Sequence, residues 1–185
     1  MFFPISVPPS IPQVPFYSQF HDISYTAWQK SACGVASLAM VIDFYKTEPV
    51  SVDTVLGQAT SSGAYLKNAG WTYKGLIGVA KKYGLEGSSY DLAQSTTEVA
   101  FARFTDYLKD GPVIVSVHYK FDPKSTIPHL VVIDGVQGGV VYYNDPAAKT
   151  GQKQISVTDF QKAWKKRFIV IRPPKEAATV AVVKK

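Results

Sequence analysis

Cysteine is almost missing from this chain: Cys33 stands alone among 185 residues. A single thiol excludes an internal disulfide framework and offers no pair for a zinc knuckle. Histidine is nearly as scarce. His21, His118 and His129 have no recognisable ligand spacing with the carboxylates, so no metal or other cofactor is expected. Long apolar runs are missing too. Val113-Ile114-Val115-Ser116-Val117 is among the longest, far short of the roughly 20 residues that span a bilayer, so no integral membrane segment is expected. The N-terminus has no basic segment and is broken by prolines, so it does not read as a signal peptide. That places the chain in the cytoplasm as given, or outside it if a leader has been lost. Acidic residues are outnumbered 14 to 20, for a net charge of +6. The surplus gathers at Lys162, Lys165, Lys166, Arg167 and Arg172. Spread along an amphipathic segment without a nucleic-acid motif, it reads as a solvated face, and nucleic acid is not an expected partner.

What is present is the composition of a globular protein, 46% hydrophobic and 18% charged, in a length that suits one domain. Residues 1–13 read as an extended proline-rich segment, 14–172 as the domain and 173–185 as a tail. Pro4, Pro8, Pro9, Pro12 and Pro15 forbid helix, and Val14–Gln19 reads as a first strand or edge segment. From Cys33 the spacing of Val35, Leu38, Ala39, Ile42 and Tyr45 predicts a helix with one buried face, fading near Lys46. Tyr25–Lys30 before it has no period and reads as loop, as does Ser61–Trp71. Ser51 caps a second helix, Thr72 a third that ends at Gly84, and Thr96 or Thr97 a fourth that stops at Gly111-Pro112.

Beyond Pro112 the texture changes to β-branched runs, Val113–Tyr119, Leu130–Val136 and Val140–Asn144. Gln137-Gly138-Gly139 joins the last two as an antiparallel hairpin. Thr158–Lys165 reads as helix, and Phe168–Ile171 closes the sheet. Helices first and an antiparallel sheet afterwards make the fold class α+β.

Cys33 at a helix start has two readings. It is either a small packed residue or a nucleophile whose thiolate is favoured by unpaired amides and the helix dipole. The hairpin separates them. Counted outward from Gly138, His129 and Asp145 lie nine and seven residues away, so pairing brings the histidine at one strand's start beside the aspartate at its partner's end. Nucleophile, base and orienter are then all available. Tyr17, Tyr25, Trp28, Tyr65 and Trp71 fall in expected loops and are candidates for cleft walls, and Gly34 leaves room for a substrate beside the sulfur.

Val14-Pro15-Phe16-Tyr17-Ser18-Gln19, Ala32–Val41 around Cys33, Gly111–Val115, His129–Gly135 and Asn144-Asp145-Pro146-Ala147 together resemble the C39-like cysteine peptidases, in the same order and over residues 14–172. The resemblance implies a bacterial protein with a papain-like fold, N-terminal helices packed against a C-terminal antiparallel sheet. It implies a thiol peptidase acting on a peptide or protein, with Cys33 as nucleophile, His129 as base and Asp145 as orienter. Gln19 matches the family's oxyanion glutamine, with Gln29 as the alternative. Two other functions share these residues: a non-catalytic peptide-binding module and a transpeptidase- or transglutaminase-like acyltransferase.

Overall fold

The computed structural model describes residues 10–67 and 69–175. The expectations for residues 1–9 and for the tail from 176 onward lie outside the described residues. Among the described residues, six helices and eight strands follow in the order α1 (Thr26–Gln29), α2 (Cys33–Tyr45), α3 (Val52–Ser61), β1 (Tyr65–Leu66), β2 (Gly70–Trp71), α4 (Tyr73–Lys81), β3 (Glu86–Asp91), α5 (Thr97–Leu108), β4 (Val113–His118), β5 (Pro128–Gln137), β6 (Val140–Asn144), β7 (Lys153–Ser156), α6 (Val157–Ala163) and β8 (Trp164–Arg172). A 3-10 turn at Tyr119–Phe121 follows β4, which therefore ends one residue earlier than expected.

The caps are where the side-chain chemistry puts them. Ser51, Thr72 and Thr96 accept hydrogen bonds from Thr54, Gly75 and Val99 amides at 3.4, 3.1 and 3.3 Å. Gly84 follows α4 with φ +70, a left-handed stop that glycine adopts without a Cβ clash.

Six strands form one antiparallel sheet in the order β3-β8-β4-β5-β6-β7. Gly138 and Gly139, at φ +58 and +77, make the two-residue turn between β5 and β6. Alternation along β4 sorts its side chains to two faces. Ile114 joins α2, α3 and α4 on one, while Val113, Val115 and Val117 join Phe104 of α5 and Phe160 of α6 on the other.

Several elements differ from expectation, each for a physical reason. α2 is buried continuously from Gly34 to Ile42, not on one face, because α3 and α4 cover the side turned from the sheet. α1 is a helical turn where a loop was expected, with Trp28 packed on Tyr65 and Trp71. Ser61–Trp71 holds the short β1–β2 ribbon. Val14–Gln19 forms no strand; the Gln19 amide instead donates to the Pro146 carbonyl at 2.8 Å. β7 was unforeseen, and Trp164 and Lys165 belong to β8 rather than to the helix before it.

Candidate active site

Cys33 is the first residue of α2 and sits half-buried, preceded by Ala32, which supplies no side-chain cap. The first intrahelical bond of α2 is Ala36 N–H to the Ala32 carbonyl at 3.0 Å, so the amides of Cys33, Gly34 and Val35 precede the ladder. Gly34 serves packing, not substrate access as the sequence suggested. A Cβ there would come within 2.9 Å of Trp71 Cδ1, and Trp71 Nε1 donates to the Ser31 carbonyl at 2.6 Å. The indole thereby braces the turn that carries the sulfur.

His129 is the second residue of β5 and is only 4% exposed. Its Nε2 lies 2.6 Å from Asp145 Oδ1, an oxygen that also accepts the Ala147 amide at 2.8 Å. Tyr119 stands edge-on to the ring, 5.2 Å between centroids. Cys33 lines the same cleft as this imidazole and is near enough to act on its ionisation. Burial disfavours the charged ring. Hydrogen bonds to Asp145 and Cys33, with the negative charge each can carry, outweigh that and push its pKa up to about 9.

Gln19 is 3% exposed and lines the cleft beside Cys33 and His129. Its Nε2 donates to the Gln29 carbonyl at 2.7 Å, leaving a second N–H on the same nitrogen. The Gln29 side chain is turned away, donating to the Ile23 carbonyl at 2.9 Å, and is not part of the cleft lining. The four residues singled out from the sequence thus meet at one place. Gln19 N–H bonds the carbonyl next to Asp145, so the N-terminal segment and the β6 end are tied together.

The cleft has a volume of about 760 Å³ between the α2 layer and the sheet, where β4, β5 and β8 line it. Tyr65 and Trp71 line it as expected. Tyr17 does not: its hydroxyl donates to Asp43 at 3.0 Å. Tyr25 and Trp28 are likewise outside the lining, whereas Phe20, Tyr73, Tyr119 and Ile127 were missed. Tyr73 and Tyr119 sit at the boundaries of α4 and β4, where periodicity says nothing about which way a side chain points. His118 Nδ1 is 2.6 Å from the Ser125 carbonyl, and His21 is exposed outside the lining. Among the described residues no cluster of His, Cys, Asp or Glu could hold a metal ion, and no helix is long and apolar enough to cross a membrane.

N-terminal helices packed against a C-terminal antiparallel sheet make this the fold of the C39 peptidase domains. Residues 11–168 match the model of the Peptidase_C39 like family, and the chain belongs to that family. Among solved structures, a double glycine motif protease from an AMS/PCAT transporter, determined with its leader peptide, is 25% identical with a TM-score of 0.60, covering 88% of this chain and 93% of that one. The peptidase domain of Streptococcus ComA, a bi-functional ABC transporter of a quorum-sensing pathway, is 25% identical with a TM-score of 0.59, covering 78% and 93%. A C39-like peptidase candidate from Bacillus anthracis shares the fold at 19% identity and a TM-score of 0.61, covering 88% and 95%. No curated protein sequence matches significantly.

Proposed function

We propose that the protein is a thiol peptidase in which Cys33, His129, Asp145 and Gln19 carry the reaction. The observation that carries this reading is the buried His129, paired with Asp145 on Nε2 and lining the same cleft as Cys33. With Nε2 occupied, Nδ1 is the nitrogen left for the sulfur. Cys33 as thiolate attacks the peptide carbonyl carbon, forming a C–S bond as the carbonyl π pair moves to oxygen. The Cys33 amide and the free Gln19 Nε2–H donate to that oxyanion. As it collapses, the C–N bond breaks and the His129 imidazolium gives its proton to the leaving amine. Water, deprotonated by His129, then attacks the thioester and releases the acid, restoring thiolate and imidazolium. Asp145 orients the ring through its bond to Nε2.

The substrate is a peptide or protein segment. The double glycine motif protease that this chain resembles was determined with a leader peptide, which supports a peptide in the cleft and makes Gly-Gly peptides the first substrates to try. Fluorescence-quenched peptides with a central Gly-Gly should be cleaved by the wild type, and Cys33→Ala and His129→Ala should each abolish turnover. Cleavage that survives in Cys33→Ala contradicts the mechanism. A protein that binds these peptides and cuts none of them is instead the non-catalytic binding module.

A further inference from the structure

The cleft around Cys33 carries basic side chains on both walls, and no Asp or Glu is among its described lining residues. Lys30, just past α1, and Lys67, in the β1–β2 ribbon, stand on the helical side; Lys165 and Arg167 of β8 stand on the sheet side. Elsewhere on the surface, Lys109 and Lys162 pair with Asp106 and Asp159 one turn away. Among the described residues no carboxylate lies within ion-pair distance of Lys30, Lys67 or Lys165. Arg167 has one, Asp91, at 2.8 Å from Nε.

The sheet-side pair is placed by a backbone irregularity. β8 pairs Arg167 with Ser116 and Trp164 with Val117, so Lys165 and Lys166 are surplus residues in a bulge. Lys166 has φ 56, a left-handed conformation uncommon outside glycine. Its carbonyl accepts the Leu92 amide at 2.9 Å, and its Nζ donates to the Ser95 carbonyl at 2.8 Å. Lys166 is spent on anchoring the bulge, while its neighbours Lys165 and Arg167 both reach the cleft lining. Burial of Lys165 and then the charge of Arg167 push its pKa down, so the ammonium is short of negative charge until an anion arrives. Basic residues that read as a solvated face in the sequence therefore divide in space: two line the cleft, while Lys162, Lys166 and Arg172 bond elsewhere.

We infer that the cleft selects peptides with acidic side chains close to the scissile bond, and that Lys30, Lys67, Lys165 and Arg167 determine that specificity. The inference rests on the peptidase reading above. Cations on opposite walls of one groove raise the local concentration of an anionic chain and disfavour a basic one.

The test has two arms that fail separately. In the first, the single cysteine is alkylated with anionic iodoacetate and with neutral iodoacetamide. The iodoacetate-to-iodoacetamide rate ratio should fall by about fivefold or more in Lys30→Gln/Lys67→Gln/Lys165→Gln, and should fall in the wild type as salt rises to about 0.5 M. The neutral reagent reports whether the variant still folds around Cys33. In the second arm, quenched Gly-Gly peptides flanked by Glu or by Gln are compared. The Glu peptide should have the higher kcat/KM, by about tenfold at low salt, and Lys30→Glu/Lys67→Glu/Lys165→Glu should remove or invert the preference. Equal kcat/KM for the two peptides, with cleavage intact, overturns the inference and leaves the peptidase reading standing. An unchanged reagent ratio in the glutamine variant also overturns it. No cleavage of either peptide, with the reagent ratio still falling, overturns the peptidase reading while supporting an anion-selecting cleft.

Discussion

Burial alone would strip the proton from His129; Asp145 and Cys33 together hold it on, with a pKa of about 9. In the proposed mechanism an imidazolium is therefore available to protonate the leaving amine across the neutral range. On the alkaline side kcat should fall as pH passes through about 9, when that acid is lost, and a pH–rate profile checks it. Asp145→Asn removes the charge and leaves a group that can still bond Nε2. We expect kcat lower by about 10²–10⁴-fold, with an unchanged circular dichroism spectrum. Gln19→Ala removes the proposed oxyanion donor, and kcat should drop about 10²–10³-fold with much less change in KM. A KM effect alone would make Gln19 a substrate contact and not an oxyanion donor. Much of this was legible beforehand, because a lone cysteine at a helix start and a two-glycine hairpin are local features. The choice between Gln19 and Gln29 was not. Which amide lies at the cleft depends on Gln19 Nε2 donating to the Gln29 carbonyl and Gln29 Nε2 to the Ile23 carbonyl, contacts that no local pattern marks.

At the scale of an element, the β5–β6 hairpin does more than bring two ends together. The register slips between Ile133 and Gly135, leaving Asp134 as a bulged residue. Its buried carboxylate accepts Asn144 Nδ2 at both oxygens, 3.1 and 2.9 Å, and Asn144 Oδ1 accepts the Gln152 amide at 2.8 Å. Asn144 precedes Asp145, so this network fixes the strand end that carries the orienting carboxylate. Burial pushes the Asp134 pKa up to about 7, and the bonds from Asn144 offset only part of it. A folded pKa above the ordinary value means stability that is complete below the unfolded pKa and is lost as pH rises through about 7. The melting temperature should thus fall between about pH 5 and about pH 8, and this fall should be smaller in Asp134→Asn. A pH-independent difference between the two proteins would contradict that account. α1 and β7 show what sequence patterns could not supply. α1, four residues long, is held by Trp28 against Tyr65 and Trp71, and β7 is a mostly polar edge with Ile155 as its inward apolar residue.

Across the whole molecule, the proposed reacting groups come from different layers: Cys33 from the buried helix, His129 and Asp145 from adjacent strands, Gln19 from the N-terminal segment. Each layer was readable by itself, and the α+β order of the chain already implied that helices would cover the sheet. Where the basic residues go was not readable, since Lys165 reads as helix in the sequence and falls in a bulge that no periodicity marks. The proposed mechanism requires Cys33 and His129 to form a thiolate–imidazolium pair. The most direct test is the rate of Cys33 alkylation by iodoacetamide as a function of pH, in the wild type and in His129→Ala. We predict a wild-type thiol that already reacts fast at and below neutral pH, and a His129→Ala protein whose rate rises only above about pH 8, as for an ordinary thiol. A wild-type profile that matches that of His129→Ala would contradict the pair, and with it the peptidase mechanism.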